Sequence, residues 1–425
     1  MKKIGFTLLF AALSFTLFAG GQQEQSAENE KIQLRIYEQY ADEDTKVPYD
    51  YAVAELAKAY PNVELILDIQ AQDDGQKIQT YAATGNLPDI YKAGLSQIAT
   101  FRESGNIQVL DEYAESTGYL DMAHPSAENI IYSQDGHIYA FPYAGNELVM
   151  WYYNKSLFEK YDVKVPETYD ELLTAIEVFK ANDIIPMSLF AKEKWITTAL
   201  YDVMATRFVP GGIDALDRLD AKASDEGYAK AAEALHELVT AGLLPDGVTN
   251  LNYDQAASLF YEEKAAMFLN GQWEIEASTA KLGDKVDWMF YPVMEGYEQN
   301  RTAFSGGGAP GGYAVNPDSE HLDLAAEVAA FMAKKYCEAK YTLRSNPILA
   351  LQVPEDVVPV KPFPPMMEKL AAEMKNITST TKFAWGLSNP KFKVAIEDQS
   401  QLLVTPFYTA EEFVTEMDKA MERLK

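Results

Sequence analysis

Residues 143–175, YAGNELVMWYYNKSLFEKYDVKVPETYDELLTA, constrain the fold of this chain more than any other stretch. Leu148–Tyr153 is an apolar and aromatic run, too short for a helix of its own and rich in strand formers. Asn154-Lys155 then turns the chain into a short amphipathic segment, Ser156–Tyr161. A helix opens after Pro166. Thr168 serves as its N-cap, Glu171 completes a capping box, and Leu172, Leu173, Ile176 and Phe179 supply its apolar face. Strand, turn and capped helix in that order are a feature of many α/β proteins.

The rest of the chain alternates in the same way. Ile32–Tyr37 reads as a strand, Val47–Tyr60 as a helix closed by Pro61, and Val63–Ile69 as a second strand. Such a β-α-β unit implies a parallel pair with a right-handed crossover. Gly85–Ile90 opens another strand, Ile98–Tyr113 reads as helix, loop and helix, and Gly136–Pro142 as a strand. Helical patterns dominate Ile196–Leu243, with breaks at Gly211-Gly212 and Gly242. Ala256–Phe268 reads as one helix stopped by Asn270-Gly271. Val286–Val293 is a strand, and the glycine-rich return SGGGAPGGYAVN (Ser305–Asn316) leads into strand Tyr313–Val315. Asp323–Tyr341 is a long amphipathic helix, Val353–Pro365 with five prolines is extended, and two helices close the chain.

At 425 residues and 48% hydrophobic, the chain is long and apolar enough for two or three domains. A net charge of −28 with no Lys/Arg cluster leaves nothing to neutralise phosphates, so no nucleic-acid partner is expected. Met1-Lys2-Lys3, the apolar Ile4–Phe18 and the small residues Ala19-Gly20-Gly21 read as a cleaved secretory signal peptide over residues 1–21. The alternative is an uncleaved anchor helix. Residues 22–30 are polar and read as a flexible leader. The single cysteine, Cys337, permits no intramolecular disulfide and reads as a small buried residue. No cysteine follows the apolar segment, so no lipid attachment is expected there. The protein is therefore expected to be exported, periplasmic or extracellular.

Signatures of catalysis are missing: there is no G-x-S-x-G, H-E-x-x-H or G-x-x-x-x-G-K-[ST]. His124, His137, His236 and His321 stand at no metal-ligand spacing, so neither a metal nor a cofactor is expected. The glycines of Ser305–Gly312 lack a following Lys and precede a strand, which suits a tight hinge turn or close approach of a ligand to the backbone. Among 64 carboxylates a glycosidase pair is defined by a separation in space, which sequence does not contain.

The string Glu147-x6-Asn154-Lys155-x2-Phe158, followed by Pro166-x-Thr168-x-x-Glu171-Leu172, resembles extracellular solute-binding protein family 1, the sugar-binding receptors of ABC importers, which includes the maltose-binding protein. A second block, AASLFYEEKAAMFLNGQW (Ala256–Trp273), is similar to the family pattern F-x-x-G-x-A-A-M-x-x-x-G-x-W, with Glu263 where the family has Gly. The resemblance implies a periplasmic-binding-protein type II fold: two α/β lobes with mixed, mostly parallel sheets and a ligand cleft between them. It implies lobes of residues 31–142 plus 313–360 and 143–312 plus 361–425, with crossings near Tyr143 and Tyr313. It also implies a monomeric receptor that closes on a sugar and delivers it to membrane permease subunits. Two alternatives stand beside it, an exported carbohydrate-active enzyme and the same fold binding a peptide or amino-acid derivative.

Sugar recognition needs aromatic faces for pyranose C–H groups and carboxylates or amides for hydroxyls. The resemblance places Trp273 of G-x-W, Glu147, Glu38 in the loop after the first strand, and Trp385 of TTKFAWG at the ligand. The alternative for Trp273 and for Trp385 is a core residue, and for Glu147 an ordinary surface or hinge residue. Asp89 and Lys92 complete the candidates from the Pro88-Asp89 loop, where Tyr91-Lys92-Ala93 replaces an expected Trp. Gly307 and Gly308 are the backbone positions that a ligand could approach. Trp151, on the crossing strand, reads as buried, Trp195 is open, and Arg344 is the loop cation that a free-carboxylate ligand would call for.

Overall fold

A computed structural model describes residues 31–71, 73, 75–123, 128–133, 135–145, 147–307 and 311–424. The expected signal peptide and leader, His124 and Gly308 lie outside the described residues. Two four-stranded sheets organise the chain. The first has the order β2-β1-β3-β9, from β1 (Ile32–Glu38), β2 (Val63–Ile69), β3 (Ile90–Ala93) and β9 (Gly312–Val315). Its first three strands are parallel and β9 is antiparallel to β3. The second has the order β5-β6-β4-β7, from β4 (Val149–Asn154), β5 (Ile185–Ser188), β6 (Ala265–Gly271) and β7 (Val286–Met289). There β5 and β6 are parallel, while β4 is antiparallel to both β6 and β7. A short parallel pair joins β8 (Ala303–Phe304) to β10 (Ser379–Thr380).

Strand alternation decides what each face of the first sheet buries. Leu34, Ile36, Ile90, Tyr313 and Val315 point to one core, beneath helices Glu43–Ala59 and Leu322–Arg344. Tyr37, Tyr91, Ala93 and Ala314 point to the other, with Ile78 and Phe101 of helices Gln76–Ala83 and Leu95–Ser104. Tyr91 is therefore spent on packing. In the second sheet β4 and β6 are buried at every residue, Trp151 included, as central strands covered on both faces are. Cys337 is buried in the first core, and burial pushes its thiol up to about 12.

The capped helix begins as the sequence predicts: Thr168 and Glu171 form the reciprocal capping box of helix Tyr169–Ala181. The expected helix over Ala256–Phe268 is a correction. The helix ends at Tyr261, Glu263 takes a left-handed φ of +59°, and Ala265–Gly271 is a strand. A buried five-residue apolar run carries no period of its own, and here the sheet claims it. Gly136–Pro142 also departs from expectation, since it forms no strand beyond an isolated bridge from Phe141 to Tyr313.

Two segments pass side by side between the sheets. Phe141 and Tyr313 exchange backbone hydrogen bonds at the first sheet, and Val149 N–H donates to Ser305 O (2.9 Å) at the second. Between them the Gly307 N–H donates to the Glu147 carbonyl. A third segment lies against the first, where Gly145 N–H donates to Ile348 O (3.2 Å). Tyr143 heads the first of these segments, and Tyr313 lies in β9 where the second joins the first sheet.

Candidate functional site: a polar row facing a tryptophan wall

The parallel strands of the first sheet end in polar residues that its own geometry lines up. The β1–β3 register pairs Ile36 with Ile90, so its continuation sets Glu38 beside Lys92, which pairs with Tyr313 of β9. Glu38, Lys92 and Tyr313 thus form a row on one face, at the carboxyl edge where open α/β sheets bind ligands. The Glu38 carboxylate is fully buried and accepts from the Tyr143 hydroxyl (3.2 Å to each oxygen) and from Gln39 N–H (2.8 Å). Burial holds it above the usual carboxylate range, an effect that the nearby Lys92 ammonium opposes. The Tyr143 ring packs on Tyr313 (centroids 4.7 Å apart) and Tyr336 (4.4 Å). Lys92 donates to Gln39 Oε1 (2.5 Å) and stands 5.8 Å from the centre of the Tyr143 ring.

Glu147 belongs to the crossing segment and is partly buried. Desolvation raises its carboxyl, Lys92 and Lys340 oppose the rise, and Asp44 adds to it. Among the described residues its carboxylate has no hydrogen-bond partner. Leu148 N–H donates to Gln272 Oε1 (2.6 Å) and Gln272 N–H donates to Leu148 O (2.9 Å), which ties Glu147 to the residue beside Trp273.

Trp273 is one member of an aromatic wall. Its ring lies 5.9 Å from Trp195, 5.3 Å from Phe383 and 6.0 Å from Trp385. Trp195 is 5.3 Å from Trp385, and Phe383 stacks on Trp385 at 4.5 Å and 7°. All three tryptophans are partly exposed, whereas Phe383 is buried. They come from three places: Trp195 from the start of helix Lys194–Phe208, Trp273 from the cap of helix Glu274–Leu282, and Trp385 from the turn Ala384–Gly386.

The two halves meet at Gly94, two residues after Lys92. A Cβ there would lie 2.8 Å from the Trp385 carbonyl oxygen and 3.2 Å from its Cβ. The strand that carries Lys92 thus runs against the turn that carries Trp385.

Glu38, Lys92, Glu147, Trp273 and Trp385 are brought together here. Asp89 stands apart from them. It precedes β3, about 10 Å of strand from Lys92, and its carboxylate is taken by Arg35 N–H (2.7 Å) and the Ser319 hydroxyl (2.6 Å). Gly307 lies in the crossing. Its N–H is already given to Glu147, and a Cβ would lie 2.5 Å from Thr380 Cβ, so it serves the packing of the crossing. Arg344 lies on Asp44 (3.4 Å), which also pairs with Lys340. Sequence reasoning left Trp195 open and did not single out Tyr143. Only Tyr143's place at the head of the crossing strand hinted at it. No group of His, Cys, Asp and Glu among the described residues is placed to hold a metal ion, and no helix among them is long and apolar enough to cross a membrane.

Two α/β lobes that enclose a polar row and an aromatic wall define a ligand-binding receptor of the type II fold. The chain belongs to the bacterial extracellular solute-binding protein family, whose pattern spans residues 42–335. It is 24% identical over 389 residues to an uncharacterized ABC transporter extracellular-binding protein of Pyrococcus horikoshii, covering 87% of this chain and 84% of that one. It is similar to a solved structure from work on xylan utilization by the thermophilic bacterium Caldanaerobius polysaccharolyticus (27% identity, TM-score 0.80, 91% of this chain and 99% of that one). A chitin oligosaccharide binding protein shares the fold (21% identity, TM-score 0.80, 93% and 99% covered). Family and neighbours are binding proteins rather than enzymes.

Proposed function

We propose that this protein is the extracytoplasmic receptor of an ABC importer for a neutral oligosaccharide. The observation that carries the reading is the wall of Trp195, Trp273 and Trp385 set against the Glu38–Lys92–Tyr143 row. Aromatic faces take the C–H side of a pyranose while the carboxylates and Tyr143 take its hydroxyls. Arg344, Lys340 and Lys92 each have an acceptor already, which argues against the free carboxylate of an amino acid or peptide as their partner. Lobes of residues 31–142 plus 313–360 and 143–312 plus 361–425 close on the sugar and release it, without chemistry, to permease subunits. Closure is a population shift driven by contacts made only in the closed form. The protein works as an exported monomer, its signal peptide removed, and has no nucleic-acid partner.

Titration calorimetry against neutral oligosaccharides of several linkages, uronate-bearing oligosaccharides and short peptides tests this. Saturable binding of one neutral sugar class at about micromolar Kd (roughly −8 kcal/mol), with the sugar recovered intact, is the expected outcome. Binding of peptides alone overturns the ligand class, and consumption of the sugar makes the protein an enzyme.

A further inference from the structure

Behind the wall, Asp202 is a fully buried carboxylate in the middle of helix Lys194–Phe208. Three chain segments converge on it. Oδ1 accepts from Ile213 N–H (2.8 Å), while Oδ2 accepts from the Ser305 hydroxyl (2.6 Å) and from the Thr381 hydroxyl. Among the described residues no ion pair reaches it, and all three partners are neutral donors. Having given its proton to Asp202, the Thr381 oxygen accepts from Gly306 N–H (2.9 Å), and Thr381 N–H returns a bond to Gly306 O (2.7 Å).

Both bonds to Oδ2 lead into the ligand site. Ser305 O accepts from Val149 N–H, and Gly307 N–H, two residues on, donates to the Glu147 carbonyl. Thr381 is two residues from Phe383 and four from Trp385, the stacked pair of the wall. In its ionised form the Asp202 carboxylate can only accept, so in that state both hydroxyls donate to it and the Thr381 oxygen turns a lone pair to Gly306 N–H. One side chain thus orients the two hydroxyls, of Ser305 and Thr381, that tie the crossing strand to the segment leading into the Phe383–Trp385 turn.

We propose that Asp202 is a positioning residue for ligand binding: through Ser305 and Thr381 it fixes the distance and tilt between Glu147 and the Phe383–Trp385 face. It touches no ligand itself. The inference rests on the sugar-cleft reading for its effect on affinity, but its effect on the wall is visible without any ligand.

The test uses the full chain with Asp202→Asn, Thr381→Val and Thr381→Ser. Near-ultraviolet circular dichroism of the ligand-free proteins reads the packing of the tryptophan wall, and calorimetry with the sugar bound by the wild type reads affinity. Asp202→Asn and Thr381→Val should alter the tryptophan dichroism and weaken the sugar at least tenfold. Thr381→Ser, which keeps the hydroxyl, should restore both. Should Thr381→Val not fold, Ser305→Ala carries the same expectation through the other arm. Variants with wild-type dichroism and affinity, whatever their melting temperature, would overturn the proposal. If no carbohydrate binds the wild type, the receptor reading fails, and the dichroism still decides the role of Asp202.

Discussion

The indole of Trp273 folds back onto Gly271 so closely that even a methyl group on that glycine would overlap the six-membered ring. The G-x-W spacing therefore has a mechanical meaning: the glycine at the end of β6 is the seat on which the ring lies. Gly271→Ala should push the indole off its place in the wall and weaken the sugar at least tenfold, about 1.4 kcal/mol. Trp273→Ala should remove about 1–3 kcal/mol of binding. Calorimetry on both checks this; wild-type affinity in Gly271→Ala would separate ring position from recognition.

The two glutamates of the site should answer differently to loss of charge. Glu147 is partly exposed and has no hydrogen-bond partner among the described residues. Glu147→Gln should cost about 1.5–3 kcal/mol of affinity through a lost charge-assisted bond and leave thermal stability nearly unchanged. Glu38 is buried under Tyr143 beside Lys92, so Glu38→Gln should lower both affinity and melting temperature. Paired calorimetry and thermal denaturation distinguish them, and equal effects on stability would refute the assignment of roles.

Glu263 occupies a left-handed conformation at the position where the resemblance of this block leads one to expect glycine. It compensates partly, pairing with Lys285 and accepting from Asn154 Nδ2 (3.4 Å). Comparison of Glu263→Gly with Glu263→Ala removes these contacts from both and leaves only the backbone. The glycine variant should be the more stable by about 1 kcal/mol, read as the difference in denaturant midpoint; an equal or lower stability would show that the turn stores no strain.

Two buried carboxyls make stability depend on pH. Burial pushes both Asp202 and Glu274 up to about 7. Glu274 accepts from Tyr253 (2.6 Å), Ser278 (3.0 Å) and Tyr261 hydroxyls, which oppose the rise without cancelling it. Between roughly pH 4, where unfolded carboxyls ionise, and about 7 the folded chain holds protons that the unfolded chain has released. Stability must therefore fall as pH rises through that window. Melting temperature should drop between about pH 4 and about pH 7, and Glu274→Gln should flatten part of the slope. A rise over the same range would contradict the sign.

Elements whose signal is local were legible in the sequence. The capping box at Thr168–Glu171 and the short buried strand after Leu148 announce themselves by residue type and spacing. The strand Ala265–Gly271 did not, because a fully buried run looks alike in a helix and in a central strand. For the site, Trp273, Glu147, Glu38, Lys92 and Trp385 came from motif and position, and the structure draws them together. Asp89 carried the same kind of signal yet lies at the far end of its strand. Trp195 has no motif around it and joins the wall only through tertiary packing. Asp202 had no signal at all, since a mid-helix aspartate becomes a junction only when Ser305 and Thr381 fold onto it.

The central claim is that a carbohydrate sits between the tryptophan wall and the polar row. Intrinsic tryptophan fluorescence of the wild type, titrated with mono- and oligosaccharides and with amino acids and peptides as controls, tests it most directly. A saturable change in emission is expected with one neutral sugar class, lost or much reduced in Trp273→Ala, with the sugar unchanged afterwards. Silence towards every sugar with a saturable response to a peptide or amino acid would contradict it.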